Sequence, residues 1–583
     1  MVEVAPRPTW RALALLLVFL VLVRGFLVLS CAEVFFYGEE LAKGGAAKAI
    51  LDSPPIPYHQ LVYAYHEGGG FVIAHARALA FLLVGESLLA TKLVAIATSA
   101  LVLVVGVTFA RESFGRRASI VFGVLFVLCP DAWLRFSLLS IGTHFEALFF
   151  ECAILLLAFR ILRSAPGRAR DWILLGLASG FGIYFSLVIA AAIAAAGAML
   201  LVGLRARILG RGLALATAAA IVGASPLLWM LGRVGIDALR VRGQSLAGGE
   251  RSGPIGTLGD LFAPLVANGR VDDWLQFAIL GSAALSSAWI LRERGSRLAA
   301  LWILGFLGVY FALYLGSGLA TSMNGLWLLW WRMSPTWFFA TLLAAAVIDA
   351  LLTRRRAVAG ALIAVLVAAG LMDVVRLART GRPDLIPANA AFLARAKGYD
   401  FAEYFDQIVH HLDGDERERI RVLLALRDDT HLLPSAIAHN VFEESELPFE
   451  RVLDISRAEF GQRFDDALLG LGHHLHPRPG YDIPAAFERL AESPADLRTQ
   501  LARALGRTGL GQRFRRDRLV EQIETPLPPE FRDAFLEGVG WRIWRAYLLD
   551  PAGGLAFVES RPVEERAALM RGLALERAAW TLP

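Results

Sequence analysis

The stretch "FYGEELAKGGAAKAILDSPP" (Phe36–Pro55) places two adjacent carboxylates, Glu39 and Glu40, shortly after a long apolar run. That run, residues 10–30, is long enough to cross the hydrocarbon layer of a membrane, which takes about 20 apolar residues. Because neighbouring like charges repel each other, we expect the two acids to have either a function or a compensating environment. Which of these applies depends on the side of the membrane on which they lie.

Composition divides the chain into an apolar part and a polar part. Hydrophobic residues make up 56% of the 583 residues and charged residues only 19%, whereas charge in an ordinary soluble domain is nearer a quarter. The apolar residues are concentrated in residues 1–376, while residues 377–583 contain frequent Arg, Asp and Glu. We therefore predict an all-α protein with a polytopic membrane helix bundle over 1–376 and a soluble domain over 377–583.

Charge and cysteine content exclude other classes of protein. The net charge of +5 is modest, and the basic residues of the apolar part lie mainly in short loops. This distribution is typical of membrane topology and does not indicate a nucleic-acid partner. The three cysteines, Cys31, Cys129 and Cys152, have neither metal-ligand spacing nor the pattern of a disulfide framework.

Eleven apolar runs have the length and composition of membrane helices. They cover residues 10–30, 88–110, 117–134, 138–160, 172–186, 187–204, 213–232, 274–291, 299–319, 335–352 and 357–376. With eleven crossings, six basic clusters lie on one side of the membrane, and an excess of Lys and Arg in short loops marks the cytoplasmic side. The N-terminus is then cytoplasmic, whereas the first loop (31–87) and the C-terminal domain are extracytoplasmic.

The C-terminal domain contains an internal repeat. Small residues and arginines each recur every 34 residues, at Gly470, Ala504, Gly538 and Gly572 and at Arg498, Arg532 and Arg566. A fixed period of this size predicts stacked helical hairpins. We expect the small residues to allow close helix packing and the arginines to cap helices or to pair between repeats. Stacks of this kind bind partners on their concave face, so a protein partner at the repeats is expected.

Four segments of the apolar part carry a resemblance to a known family. They are "EELAKGGAAKAIL" (39–51), "GESLLATKLVAIATSAL" (85–101), "FGRRASIVFGVLFVLCP" (114–130) and "WRMSPTWFFATLLAA" (331–345). In their order and spacing, residues 10–375 resemble the lipid-donor membrane glycosyltransferases of the GT-C superfamily. The resemblance is to the bacterial branch related to protein mannosyltransferases and aminoarabinose transferases. It does not extend to the C-terminal domain.

The resemblance implies a function for the paired acids. Such enzymes transfer a sugar, usually with inversion, from a polyprenyl-phosphate-type donor to a glycan, lipid or protein acceptor of the envelope. The reaction takes place outside the cytoplasm at a bacterial inner membrane. A carboxylate can accept the proton of the attacking hydroxyl, so the resemblance implies Glu39 as the base, with Glu40 as orienter or second candidate and Glu33 in reserve. Alternatively, both acids are solvated at a helix N-terminus, where the helix dipole favours them.

Cationic or ionisable side chains near the outer ends of the spans are candidates for binding the donor phosphate. Arg332 and Lys92 stand at basic positions of the resembling segments, Arg135 lies in a short outer turn, and His144 lies in the fourth predicted span. Arginine binds phosphate through a planar fork and lysine as a point charge. The alternatives are snorkelling at a helix end for the cations and a buried polar contact for His144.

Other functions stay open at this point. A divalent metal held by His144 with Glu39 or Glu40 is one alternative, although no ligand spacing predicts it. Two alternatives to a transferase are a non-catalytic scaffold whose repeats recruit an envelope partner and a transporter of lipids or solutes. Against transport, the predicted spans contain no inverted internal repeat.

Overall fold

Helices occupy most of the residues that the computed structural model describes. The described residues are 10–31, 38–52, 68–164, 167–235, 271–316, 334–381, 383–409, 412, 414–426, 432–443, 445, 447–476, 483–508, 516–546 and 551–579. Within these ranges the only β pairing is an isolated antiparallel bridge between Ser87 and Lys397. The predicted all-α fold is therefore confirmed.

The first helices of the chain contain the predicted spans and the first loop. In order they are α1 (Trp10–Ser30), α2 (Gly38–Leu51), α3 (Gly68–Val84), α4 (Leu88–Phe114), α5 (Arg116–Val127), α6 (Asp131–Phe136), α7 (Leu148–Arg163), α8 (Ala169–Phe185), α9 (Ala190–Leu204), α10 (Arg211–Gly223), α11 (Ser225–Val234), α12 (Val271–Ile290), α13 (Arg294–Gly316), α14 (Ser334–Arg354) and α15 (Arg356–Thr380). Helical structure is thus present at every predicted span.

The described part of the chain has six helices that are long and apolar enough to cross a membrane. A seventh crossing results if α10 and α11, which are bent by 52° at their junction, form one broken span. The chain is therefore a multi-pass membrane protein, while the count of eleven stays a prediction. Helix α7 differs from its predicted span because it begins at Leu148, after a non-helical segment that contains Gly142 with φ +89°.

The C-terminal residues form shorter amphipathic helices. They are α16 (Ile386–Arg395), α17 (Phe401–Ile408), α18 (Glu416–Leu424), α19 (Leu432–Phe442), α20 (Phe449–Phe460), α21 (Phe464–Leu468), α22 (Ile483–Glu492), α23 (Arg498–Thr508), α24 (Arg516–Glu524), α25 (Pro529–Ala546), α26 (Pro551–Glu559) and α27 (Val563–Ala579). Helices α19, α21, α23, α25 and α27 pack side by side in chain order. The predicted helical repeat is confirmed.

The chain divides into two compact units. The span unit consists of Met1–Ser30, Tyr65–Ile73 and Lys92–Asp384, and the repeat unit consists of Cys31–Ala64, Ala74–Thr91 and Leu385–Pro583. The predicted boundary between a membrane domain 1–376 and a C-terminal domain 377–583 stays a prediction. Among the described residues of the first loop, α2 and the part of α3 from Ala74 onward belong to the repeat unit, and α2 makes backbone contacts with residues after Leu385.

Close backbone contacts hold successive repeats together. A methyl group placed on Gly538 would lie 2.0 Å from the carbonyl oxygen of Arg503, and one on Gly572 would lie 1.8 Å from that of Glu537. Ion pairs follow the same 34-residue step, since Glu537 pairs with Arg503 at 3.0 Å and with Arg571 at 3.7 Å. Small residues and charges therefore act together at each interface between repeats.

The repeated arginines have the predicted structural role. Arg498 and Arg566 each donate from Nε to the carbonyl five residues earlier, just after the preceding helix, at 2.9 and 2.6 Å. Arg532 pairs with Glu565 of the next repeat at 2.5 Å. Capping and pairing between repeats are both confirmed.

We predict that Gly538→Ala lowers the free energy of unfolding by about 1–3 kcal/mol, because the added methyl group overlaps a backbone oxygen that cannot move alone. Thermal unfolding of the purified protein measures the effect. Gly305→Ala is the control, since no described residue has an atom within 4 Å of a methyl group at that helical position. Equal melting temperatures for Gly538→Ala and the wild-type protein would contradict the packing.

Candidate functional site

Helix α2 carries both predicted acids, and one of its faces packs on α3. Glu40 and Arg77 of α3 are completely buried, and the Arg77 Nη2 lies 3.6 Å from the Glu40 Oε1. Arg77 also donates through Nη1 to the Glu40 carbonyl oxygen. Closer to the C-terminal end of α2, Ala47 packs in a small apolar cluster with Phe81 of α3. Glu40 therefore has a compensating positive charge on the neighbouring helix.

A second face of α2 packs on residues 396–404 of the C-terminal chain. A methyl group on Gly44 would lie 1.7 Å from the Gly398 carbonyl oxygen, and one on Gly45 would lie 2.7 Å from the Tyr404 Cβ. The Asp400 amide donates to the Leu41 carbonyl at 3.2 Å. Only glycines permit this approach, because any side chain at either position would overlap the C-terminal chain.

Charged groups fix the C-terminal end of α2. The Lys48 ammonium lies 3.1 Å from Asp52 and 3.3 Å from Glu86, and it stands over the Tyr399 ring at 5.6 Å. A cation in the last turn also opposes the negative end of the helix dipole. Nearby, burial raises the pKa of the Tyr404 hydroxyl, so this side chain stays neutral and packs as an aromatic ring.

Glu39 lies on the remaining face of α2. Successive residues of an α-helix are about 100° apart, so Glu39 and Lys43 share a face that contains neither Glu40 nor the two glycines. Glu39 is half-buried, whereas Lys43 is almost completely buried. The structure therefore distinguishes two neighbouring acids that are equivalent in the sequence, because Glu40 is completely buried with an arginine and Glu39 is half-buried.

The predicted phosphate-binding residues within the described ranges belong to the span unit. The buried Lys92 donates from Nζ to the Leu138 carbonyl at 3.1 Å. Arg135 is partly exposed and donates from Nε to Asp131 at 2.6 Å, and His144 is half-buried. Arg332 and the reserve acid Glu33 lie outside the described residues. The roles of these residues in phosphate binding or catalysis stay predictions.

Two acids in the region of the fourth predicted span have contrasting environments. Glu146 accepts a hydrogen bond from the Ile141 amide at 2.8 Å. Glu151 of α7 is completely buried, and neither of its carboxylate oxygens has a hydrogen-bond partner among the described residues. An isolated carboxylate is very costly to bury, so the structure provides no visible compensation for a charge at this position within the ranges that it describes.

Sequence reasoning missed several buried polar groups. Arg24 of α1 is completely buried and donates to the Val127 carbonyl at 2.9 Å and to the Cys129 sulfur at 3.3 Å. Asp373 of α15 is likewise buried and accepts from Gln276 at 2.8 Å and from Arg376 at 3.1 Å. The sequence signal that could have found these groups is a lone ionisable residue inside an apolar run. Such a residue requires a polar or charged partner when it is buried in an apolar environment. The same signal applies to Arg77.

The described residues contain no group of three or more His, Cys, Asp or Glu side chains arranged to hold a metal ion.

Comparison with solved structures gives distant similarities. ArnT from Cupriavidus metallidurans bound to undecaprenyl phosphate is 16% identical, with a TM-score of 0.44 over 88% of this chain and 81% of that chain. The same protein in the apo state is 13% identical, with a TM-score of 0.42 over 98% and 90%. The apo oligosaccharyltransferase of Archaeoglobus fulgidus is 14% identical, with a TM-score of 0.36 over 72% and 60%. No protein-family model and no curated protein matches the chain.

We predict that Glu40→Gln lowers the free energy of unfolding by about 3–5 kcal/mol, because it leaves the Arg77 charge buried without its counter-charge. Glu39→Gln should leave stability nearly unchanged. Replacing both members of the pair, as Glu40→Leu with Arg77→Met, should restore much of the loss. Melting curves of the purified variants provide the measurement, and a Glu40→Gln variant as stable as the wild-type protein would exclude a structural pair.

Proposed function

We propose that the protein is a membrane glycosyltransferase that transfers a sugar from a polyprenyl-phosphate-type donor to an envelope acceptor. The transfer would take place on the extracytoplasmic side of a bacterial inner membrane with inversion at the anomeric carbon. Glu39 would act as the base. The observation that supports the proposal is the contrast on α2 between Glu40, which is completely buried with Arg77, and Glu39, which is half-buried.

The chemistry requires a carboxylate that can reach the acceptor. The attacking hydroxyl must lose its proton as it bonds to the anomeric carbon, and a positioned carboxylate typically contributes a factor of about 10²–10⁴ to such a step. Glu40 is a poor candidate for this role because it is completely enclosed with Arg77. Glu39 is only half-buried, and we propose that the acceptor hydroxyl meets this carboxylate while the helix holds its backbone in place.

The leaving phosphate requires positive charge. Lys92, Arg135 and Arg332 are proposed to face the donor phosphate, with His144 as a further contact. Lys92 is buried and held by a backbone carbonyl, so its charge is fixed in position before the donor binds. Fixed charges contribute more to catalysis than mobile ones because they do not reorganise during the reaction.

The topology is consistent with such a donor. The chain has at least six apolar helices among its described residues, and a polyprenyl chain is soluble only in a bilayer. The basic loops between the spans favour a cytoplasmic N-terminus, and with the eleven crossings that the sequence predicts, α2 and the repeats would lie outside the cytoplasm. The envelope acceptor would then approach from the same side as the repeats.

We predict that Glu39→Gln lowers the rate of sugar transfer by about 10²- to 10⁴-fold without weakening lipid binding, because only the proton acceptor is lost. Membrane vesicles containing the variant would be supplied with a panel of undecaprenyl-phosphate-linked, radiolabelled hexoses and pentoses. Released undecaprenyl phosphate and labelled envelope products would be counted. Binding of undecaprenyl phosphate itself would be measured separately.

Glu418→Gln serves as the control, since Glu418 is an exposed acid of the repeat unit and its loss should not change the rate. Equal transfer by Glu39→Gln and the wild-type protein would remove Glu39 from the reaction. Transfer that is lost together with lipid binding would instead make Glu39 a binding residue.

A further inference from the structure

Residues 396–404 of the C-terminal chain, which we call the clasp, join α2 to the repeat helices. The Leu88 amide donates to the Ala396 carbonyl at 2.9 Å, and Ser87 pairs with Lys397 in the isolated bridge. Further along, Asp400 donates to Leu41 of α2. The clasp thus bonds to the chain on both sides of α3, although it lies more than 300 residues later in the sequence.

The clasp continues directly into helix α17. Asp400 caps this helix by accepting from the Ala402 amide at 2.9 Å, and Tyr404 and Phe405 are buried. Asn440 of α19 donates to the Ala402 carbonyl at 3.2 Å. Helix α19 also packs on the repeat stack through α21, so a continuous series of packed helices connects the clasp with the repeats.

One clasp side chain reaches the residue before Glu39. The carboxylate carbon and both carboxylate oxygens of Glu403 lie 2.8–3.0 Å from the position that a Cβ atom on Gly38 would occupy. Since that position is about 1.5 Å from the Gly38 Cα and consecutive Cα atoms are about 3.8 Å apart, the carboxylate is within roughly 8 Å of the Glu39 Cα. Glu403 is therefore next to the proposed base.

The position of Glu403 matches the needs of a helix start. Gly38 is the first residue of α2, and the first four amides of a helix have no intrahelical acceptor. A carboxylate there is favoured both as an acceptor and by the positive end of the helix dipole. The glycine leaves room for the carboxylate, whereas any side chain at position 38 would displace it.

We propose that Glu403 of the repeat unit is a positioning residue for Glu39. Its carboxylate holds the first turn of α2, which fixes the backbone of Glu39 in the orientation needed for proton acceptance. This inference rests on the proposed function for its catalytic consequence, but the contact itself is independent of that function.

Hydrogen exchange of the full-length protein in lipid nanodiscs tests the contact. Glu403→Ala should speed the exchange of the amides of residues 39–42 about fivefold, as expected for loss of a helix cap. Glu403→Gln should restore most of the protection because its amide oxygen still accepts. The control Glu488→Ala, which removes an exposed acid of α22, should leave the exchange unchanged. Unchanged exchange in Glu403→Ala would overturn the proposal.

A second variant tests the same contact without removing the acid. Gly38→Ala should displace the Glu403 carboxylate and speed exchange in the first turn of α2. In the Glu403→Ala background the carboxylate that the methyl group would displace is already absent, so the same substitution should have little further effect. Additive effects of the two substitutions would show that the residues do not interact, which would also overturn the proposal.

Turnover of a labelled undecaprenyl-phosphate sugar tests the catalytic consequence. Glu403→Ala should lower kcat about tenfold with an unchanged KM for the donor, and it should cause no further loss in the Glu39→Gln background. A further loss there would show that Glu403 does not act through Glu39. If Glu39→Gln alone leaves turnover intact, the proposed base is wrong, while the exchange experiment still decides whether Glu403 holds α2.

Discussion

The burial of Glu40 against Arg77 is the interaction on which the arrangement of the first loop depends. Two charges removed from water are tolerated only when they are close together and further hydrogen bonds satisfy them. Here the arginine bonds both the carboxylate and the backbone carbonyl of the same residue. Helix α2 can therefore adopt only one rotation about its axis against α3, and this rotation determines where Glu39 lies.

The two glycines of α2 complete the constraint through a second packing contact. Gly44 and Gly45 allow the backbone of residues 398–400 to approach the helix closely, and the bond from Asp400 to Leu41 fixes the register. A short helix of 14 residues would be marginal in water. Packing on two sides makes it rigid, which suits a helix that must present one carboxylate in a fixed direction.

Much of this architecture could be predicted because its signals are local. Apolar runs of about 20 residues predict the span helices, and a 34-residue step predicts the hairpins together with the contacts of Gly538 and Gly572. The clasp gave no such signal, since nothing near Gly398 in the sequence indicates that it meets Gly44. The predicted span at residues 138–160 begins before helix α7 does, because the apolar residues that precede Leu148 are not helical. Glu39 and Glu40 could not be separated, since their difference is only the rotation of the helix relative to Arg77.

The proposed function requires Glu39 to be accessible to solvent from the extracytoplasmic side, whereas Glu40 should be shielded by Arg77. Carbodiimide-driven coupling of a small amine to carboxyl groups, in sealed vesicles of each orientation, measures this directly when the modified residues are mapped by mass spectrometry. We expect coupling to Glu39 in right-side-out vesicles and none to Glu40. Coupling to both acids at similar rates, or coupling to Glu39 only in inside-out vesicles, would contradict the account.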